Sequence, residues 1–261
     1  ILGVSKGTLT AAASATVDVV YGNTASGSTL NLDGADGFRY NVSLGGCIAG
    51  NIGAAGTVDG RLNNAYFSNG FSPGFCPEPS AVLDSGGRQV TLGPDLNGAL
   101  KVHRKVFVPT RGGFARHLEI LTNPTAVPWT KPVKLSGTMG SLTQTRLVIA
   151  PEATNNTYTL TDKNGVCCVP VLAHVFGGPG AALVTNGVRF VNGQGDFYYQ
   201  WSVTVQPGQT VILMHFAIQR DIGDLDGARA QAEALVNLSD PDALVGMTAT
   251  EKAQVVNFRI Q

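Results

Sequence analysis

The 261-residue chain has few charged side chains and few aromatic rings. Charged residues make up 14% of the sequence, which is well below the roughly 25% of an average soluble domain. Disordered chains and coiled coils need many more charges, so both classes are excluded. The 18 basic residues are balanced by 18 acidic ones. We therefore expect no nucleic-acid partner and no polybasic membrane-binding surface, because both need an excess of positive charge.

The sequence also lacks a long apolar run. The longest candidate, residues 211–218, is interrupted by His215 and has the length of a strand, whereas a membrane-spanning helix needs about 18 apolar residues. We expect no membrane span. The chain begins at Ile1 without a signal peptide, as expected of a processed, secreted chain or of one cut from something longer.

Glycine and proline are abundant, with 33 and 13 residues. This composition favours many strands joined by tight turns. Alternation of apolar and polar residues predicts strands through most of the chain before residue 221, with turn signals between nearly all of them. The predicted strands comprise residues 12–20, 38–43, 81–83, 89–92, 100–108, 114–122, 133–137, 143–149, 157–161, 169–175, 182–185, 188–191, 197–205 and 210–219.

The clearest alternation lies in residues 197–205, where Trp201 is on the apolar face and Tyr198 on the polar one. Residues 206–209, Gln-Pro-Gly-Gln, have the composition of a turn. Residues 210–219 follow with an apolar face of their own. We expect these two strands to pair with each other as an antiparallel hairpin.

Beyond the strands the periodicity changes to that of helices. Three short helices are predicted, after Asp224, at Pro241 and after Thr248. Thr248 and Glu251 have the spacing of a capping box. This helical segment follows the last strand after only a few residues, so we expect it to pack on the sheets rather than to form a domain of its own.

These patterns predict an all-β fold, a large antiparallel two-sheet β-sandwich with a short C-terminal helical segment. We expect one domain over residues 1–261. Its strands would occupy residues 1–220, and the helical tail packed on them would occupy residues 221–258.

The four cysteines are Cys47, Cys76, Cys167 and Cys168. A disulfide between the first two would close a loop-like, weakly charged stretch and stabilise the fold by roughly 3–4 kcal/mol. The adjacent pair could form a vicinal disulfide, reach two separate partners or stay reduced. A zinc site is disfavoured because the chain lacks two-cysteine knuckles. An even number of cysteines predicts an oxidising, extracellular location.

Residues 104–125, RKVFVPTRGGFARHLEILTNPT, resemble a recurring block of large secreted bacterial surface proteins. Similar blocks follow in the same order at residues 136–141, 172–180 and 212–219. The resemblance extends over residues 80–258, and it implies a sandwich similar to the "supersandwich" of the galactose mutarotase-like group. That group contains sugar epimerases, polysaccharide lyases, hydrolases and modules of unknown activity. The cysteine-bearing segments depart from the resemblance.

Candidate catalytic groups are few. His117 and Glu119 are two residues apart on a predicted strand, so they share a face and could act as an acid–base pair. The interpretation that we favour is that they mark the solvent face of a half-buried strand. His174 and His215 lie in apolar strands and are interpreted as core histidines. An enzyme of the mutarotase-like group would need His117, Glu119, His174 and Arg189 to converge on one cleft.

Sugar recognition would use aromatic rings, because a pyranose presents an apolar C–H face. Trp129 lies in a polar-flanked loop and Tyr198 on the polar face of its strand, so these two rings are the candidate glycan-binding residues. Trp201 is interpreted as a core residue. The sequence contains no nucleophile elbow, phosphate-binding loop or H-E-x-x-H zinc helix.

Asp221, Asp224 and Asp226 form the one cluster of carboxylates that could hold Ca²⁺, which prefers oxygen ligands. Their spacing does not match the twelve-residue calcium loop. Acidic residues in the first turn of a helix also stabilise its dipole. We therefore expect no cofactor, with calcium as a weak candidate.

The function expected from these features is that of a non-catalytic extracellular β-sandwich subunit of a bacterial surface or matrix, with a structural, adhesive or self-assembling role. Its partners would be other copies of itself or neighbouring surface proteins. The alternative is a carbohydrate-active enzyme or glycan-binding module of the mutarotase-like group, with glycans as partners.

Overall fold

The computed structural model describes residues 23–24, 29–35, 37–43, 52–54, 66–72, 81–97, 99–139, 141–163 and 170–261. The strands in these ranges are β1 (Asn23–Thr24), β2 (Thr29–Asp33), β3 (Arg39–Ser43), β4 (Ile52–Ala54), β5 (Tyr66–Ser72), β6 (Ala81–Asp84), β7 (Gln89–Asn97), β8 (Leu100–Phe107), β9 (Phe114–Thr122), β10 (Trp129–Met139), β11 (Arg146–Ile149), β12 (Tyr158–Asp162), β13 (Val171–Val175), β14 (Gly187–Arg189), β15 (Asp196–Val205) and β16 (Thr210–Arg220). The α-helices are α1 (Leu225–Val236) and α2 (Ala249–Gln254).

The strands form two antiparallel sheets, which confirms the expected all-β architecture. The large sheet has the order β1-β6-β7-β8-β9-β16-β13-β12-β11, and the small sheet has the order β14-β15-β10-β5-β4-β3-β2. Apolar side chains from the inner face of each sheet make the main core. Trp201 of β15, Val106 of β8 and Leu213 of β16 are fully buried there.

The prediction that β15 and β16 form a hairpin is wrong, because the two strands belong to different sheets. β15 pairs with β10 and β14, whereas β16 pairs with β9 and β13. The turn itself is present: Gln209 N–H donates to the Gln206 carbonyl at 3.0 Å, and Gly208 has a φ of 70°. The apolar face of β15 lies in the main core, whereas the fully apolar face of β16 is covered by the C-terminal helical segment on the other side of the large sheet. Placing the strands in different sheets therefore removes both faces from water.

The C-terminal helical segment covers the outer face of β9, β16, β13 and β12 in the large sheet and makes a second core. Ala228, Ala232 and Leu235 of α1 pack in this core with Phe216 of β16 and Phe258. The central strands of the large sheet are therefore buried on both faces, between the small sheet and the helices.

The helix boundaries follow the predicted caps. The Asp224 carboxylate accepts a hydrogen bond from the Gly227 N–H at the start of α1, and Thr248 and Glu251 form the predicted capping box at α2. The prediction of a short helix at Pro241 is wrong, since residues 241–246 form turns. Carbonyls of this segment accept hydrogen bonds from a side chain of β9 instead of from a helical turn.

Other differences concern short elements. The predicted strand at residues 182–185 is absent, because Leu183 N–H donates to the Val256 carbonyl and fixes this loop to the C-terminal segment. The strands β1, β2, β4 and β5 were not predicted. The strand predicted at residues 12–20 lies outside the described residues, as do Cys47, Cys76, Cys167 and Cys168. No helix in the described part of the chain has the length and apolar character needed to cross a membrane.

Candidate functional site

A groove of about 480 Å³ lies on the outer face of the small sheet, over β10, β14 and β15. Alternation along β15 creates it: Tyr199 and Trp201 point into the main core, so Tyr198 points outward. The residues that line the groove are Lys134, Ser136, Gly137, Arg189, Asp196, Phe197 and Tyr198.

Strand register brings three of these side chains into one row across the sheet. Tyr198 of β15 is paired with Ser136 of β10 on one side and with Arg189 of β14 on the other. Lys134 is two residues from Ser136 along β10, so it lies on the same face. The sheet therefore holds an aromatic ring, a hydroxyl and two cations on a rigid surface.

The Tyr198 ring is packed against Lys134. The ammonium of Lys134 lies over the ring, 4.7 Å from its centroid, which is a cation–π geometry. On β14, a Cβ at Gly187 would be 3.6 Å from Tyr198 Cε2, so the edge of the ring lies beside this glycine. Tyr198 remains partly exposed.

The groove carries more positive than negative charge. Arg189 is exposed and donates to the neutral amide oxygen of Gln194 at 2.6 Å. None of the ion pairs found among the described residues includes Lys134 or Arg189. Asp196 is the carboxylate at the end of the groove and is exposed. Such a surface suits a ligand with hydroxyl groups and negative charge.

A second polar cluster lies inside the main core. It joins Arg104 of β8, Glu119 of β9 and His215 of β16 on the large sheet to Tyr199 of the small sheet. All four residues are buried, with exposures of 0–1%. The cluster therefore crosses the interior of the sandwich where water does not reach it.

The hydrogen bonds of this cluster form a chain from Arg104 to Tyr199. Arg104 Nε donates to Glu119 Oε2 at 3.0 Å, and its Nη2 lies 2.8 Å from Oε1. His215 Nε2 lies 3.0 Å from Glu119 Oε1, and its Nδ1 lies 3.0 Å from the Tyr199 hydroxyl. A carboxylate accepts only, so His215 Nε2 carries the proton. Nδ1 of the neutral ring then accepts from Tyr199.

Burial and Arg104 together determine the charge states. Burial alone would raise the pKa of Glu119, but Arg104 and His215 outweigh it and hold that pKa below its ordinary value. Burial lowers the pKa of His215, although Glu119 acts in the opposite direction. The cluster therefore contains an ionised carboxylate beside a neutral imidazole near neutral pH.

Two further histidines border the cluster. The His117 ring stacks on His215 with 4.5 Å between centroids, and burial, followed by the nearby His215, lowers the pKa of His117 far below its usual value. His174 packs against Phe190 and Phe197, and burial lowers the pKa of His174 to about 3. The interpretation of His174 and His215 as core residues is confirmed.

The four residues expected to converge in an enzyme do not share one cleft. His117, Glu119 and His174 lie in the main core, whereas Arg189 lies on the outer face of the small sheet. The favoured interpretation of His117 and Glu119 as a solvent face is wrong as well, because the small sheet covers them. Arg116, on the opposite face of β9, is buried under the helical segment.

The predicted glycan-binding rings have different positions. Tyr198 lines the groove. Trp129 begins β10 and packs, partly buried, against the main core. Trp201 is fully buried, as predicted. Lys134, Ser136 and Asp196 were missed, although the alternation of Lys134 and Ser136 with buried Val133 and Leu135 marks an outward face on β10.

The three calcium candidates, Asp221, Asp224 and Asp226, lie at or just before the N-terminus of α1. Asp224 caps the helix and forms an ion pair with Arg220, with 2.7 Å between Oδ2 and Nη2. Asp226 lies in the first helical turn, and Asp221 precedes it in the loop. Within the described ranges there is no group of three His, Cys, Asp or Glu side chains arranged to hold a metal ion.

No protein family and no curated protein sequence matches the chain. Solved structures with a similar fold include a heparinase III (13% identity over 63% of this chain and 24% of that one, TM-score 0.38). They also include a polysaccharide lyase (12%, covering 80% and 34%, TM-score 0.37) and a protein described as an aldose 1-epimerase from Klebsiella pneumoniae (9%, covering 72% and 62%, TM-score 0.34). The chain therefore spans 24–62% of the length of these proteins.

These neighbours agree with the expected mutarotase-like sandwich, since an aldose 1-epimerase is among them. They correct the expected function. They are described as a heparinase, an aldose 1-epimerase and a polysaccharide lyase, which contradicts the expectation of a non-catalytic structural, adhesive or self-assembling subunit.

Proposed function

We propose that the chain is a carbohydrate-binding β-sandwich module that holds saccharides in the groove on the outer face of the small sheet. The observation that carries the proposal is the partly exposed Tyr198 ring with Ser136 and Arg189 in register beside it. The groove volume of about 480 Å³ lies in the range of small-molecule sites.

The side chains of Ser136, Tyr198 and Arg189, which lie in one row across the small sheet, have the chemistry needed to bind a sugar. The apolar C–H face of a pyranose packs on an aromatic side chain. Surrounding polar groups then fix the orientation of the sugar by hydrogen bonds to the sugar hydroxyls. Ser136 and Arg189 flank Tyr198 on neighbouring strands, so they are placed to bind hydroxyls of a sugar held at the ring. These positions are on strands rather than on loops, which makes the surface preorganised.

Calorimetric titration with neutral and acidic oligosaccharides tests the proposal. Tyr198→Ala removes the ring and should weaken binding about tenfold. Thr204→Ala is a matched control, because Thr204 is exposed on the same strand but does not line the groove. Absence of binding in the unaltered protein, or equal binding by Tyr198→Ala, would overturn the proposal.

The proposal includes an extracellular location. It is supported by the four cysteines and the low charge of the chain. Mass spectrometry of the protein under non-reducing conditions should find the cysteines in disulfides; four free thiols in protein purified from its native host would contradict this location.

A further inference from the structure

We infer that the groove selects acidic saccharides over neutral ones, and that Lys134 imposes this selection. The inference rests on the proposed function and names the class of saccharide. It concerns a specificity residue, since Lys134 lies directly over the ring on which a sugar would stack.

The first step is steric. The ammonium of Lys134 is 4.7 Å from the centroid of Tyr198 and covers one face of the ring. On the side of β14, the ring edge lies against Gly187. A pyranose that stacks on the face of Tyr198 under Lys134 must therefore displace the ammonium.

The second step is electrostatic. A neutral sugar that displaces Lys134 breaks the cation–π contact and offers no charge in exchange. A sugar carboxylate accepts a charge-assisted hydrogen bond from the displaced ammonium, so the lost contact is replaced by a stronger one. The same lysine thus opposes one class of ligand and attracts the other, which is how specificity arises as a difference of affinities.

The third step is the charge of the surroundings. Arg189, the register partner of Tyr198, adds a second cation to the groove. Its described contact is with the neutral amide of Gln194, so its charge is available to an anionic ligand. Asp196 is one carboxylate against two cations among the lining residues. The net positive charge of the groove favours the same class of ligand as Lys134 does.

The experiment compares two probes with the same sugar backbone, tetragalacturonic acid and its fully methyl-esterified form, in which each carboxylate is replaced by a neutral methyl ester, by calorimetric titration. The unaltered protein should bind the acid about fivefold more tightly, as expected of one partly exposed ion pair, and the preference should shrink as salt is added. Lys134→Ala should weaken binding of the acid and, by uncovering Tyr198, strengthen binding of the ester. Lys134→Arg should keep the preference.

Lys131→Ala is the matched control, because Lys131 is an exposed lysine of the same strand that does not line the groove. It removes the same charge and should leave the preference unchanged. Equal binding of both probes by the unaltered protein, or a preference that is undiminished in Lys134→Ala, would overturn the inference while the carbohydrate-binding function stands. Failure of both probes to bind any form of the protein would overturn the function and the inference together.

Discussion

The hydroxyl of Tyr199 lies 3.0 Å from Nδ1 of His215, and this hydrogen bond joins the two sheets of the sandwich. Tyr199 belongs to the small sheet and His215 to the large one. Both side chains are fully buried, so neither could bind water if the other were absent. The bond therefore contributes to the alignment of the sheets as well as to stability.

Tyr199→Phe should lower the free energy of unfolding by about 1–3 kcal/mol, because it leaves the buried Nδ1 of His215 without its donor. Urea unfolding measures this change. Tyr198→Phe removes the same hydroxyl one residue earlier, on the outer face, and should change stability by less than about 0.5 kcal/mol. Equal effects of the two substitutions would show that the bond between the sheets has no energetic role.

Glu119→Gln should destabilise the protein by about 3–5 kcal/mol, because it leaves the charge of Arg104 buried without a counter-ion. Thermal unfolding measures the loss. The control is Asp33→Asn, which breaks the exposed ion pair with Arg39 and should cost about 0–1 kcal/mol. Should Glu119→Gln fail to fold, the double variant Arg104→Met with Glu119→Leu removes both charges and should recover much of the stability. A Glu119→Gln protein as stable as Asp33→Asn would contradict this account.

Stability should fall as the pH decreases from about 6.5, the ordinary pKa of histidine. The pKa of buried His174 is about 3 in the folded protein. Between pH 3 and pH 6.5, this histidine is therefore protonated in the unfolded chain and neutral in the folded one. This loss amounts to about 1.4 kcal/mol per pH unit for one histidine. His117 and His215 act in the same direction, since burial also lowers each pKa.

His174→Phe should reduce that pH dependence by about one proton, because a phenyl ring in contact with Phe190 and Phe197 does not titrate. Urea unfolding between pH 4 and pH 7 measures it. Below about pH 4.5 the protein loses a further contribution, because the folded-state pKa of Glu119 is lowered and its ion pair disappears on protonation. An unchanged slope in His174→Phe would contradict the buried, neutral state of this histidine.

Gly178→Ala should destabilise the protein by about 1–3 kcal/mol through overpacking. A Cβ at this position would lie 2.7 Å from a ring atom of Phe258 and 2.8 Å from the Val236 carbonyl oxygen. Gly177→Ala is the matched control, because its Cβ would meet atoms at 3.7 Å and beyond, which is ordinary contact. Comparable midpoints of thermal unfolding for the two variants would show that the loop does not approach the C-terminal segment so closely.

Local features of the fold were predictable from the sequence. The bounds predicted for β9, Phe114–Thr122, agree with the structure, and the caps of both helices are formed by Asp224 and Thr248 as expected. These features depend on alternation and capping, which involve neighbouring residues only. The outward position of Tyr198 was predictable for the same reason, since the alternation of its own strand shows which face it occupies.

Relationships between distant strands were not predictable in the same way. The turn at residues 206–209 has the same composition whether it joins two strands of one sheet or carries the chain between sheets. The outward position of Lys134 follows from alternation, but its contact with Tyr198 depends on the pairing of β10 with β15. Likewise, the alternation of β9 predicts that Glu119 faces solvent, because the sequence of this strand does not show that the small sheet covers it.

The passage of the chain between the sheets at residues 206–209 has a consequence for the order of events in folding. The last strand, β16, lies between β9 and β13, and its contact with Glu119 through His215 spans 96 positions of the chain. Without β16, the strands from β1 to β9 and those from β13 to β11 have no strand that joins them into one sheet. Such remote pairing slows folding to the range of milliseconds to seconds, so the large sheet should become continuous only late in folding.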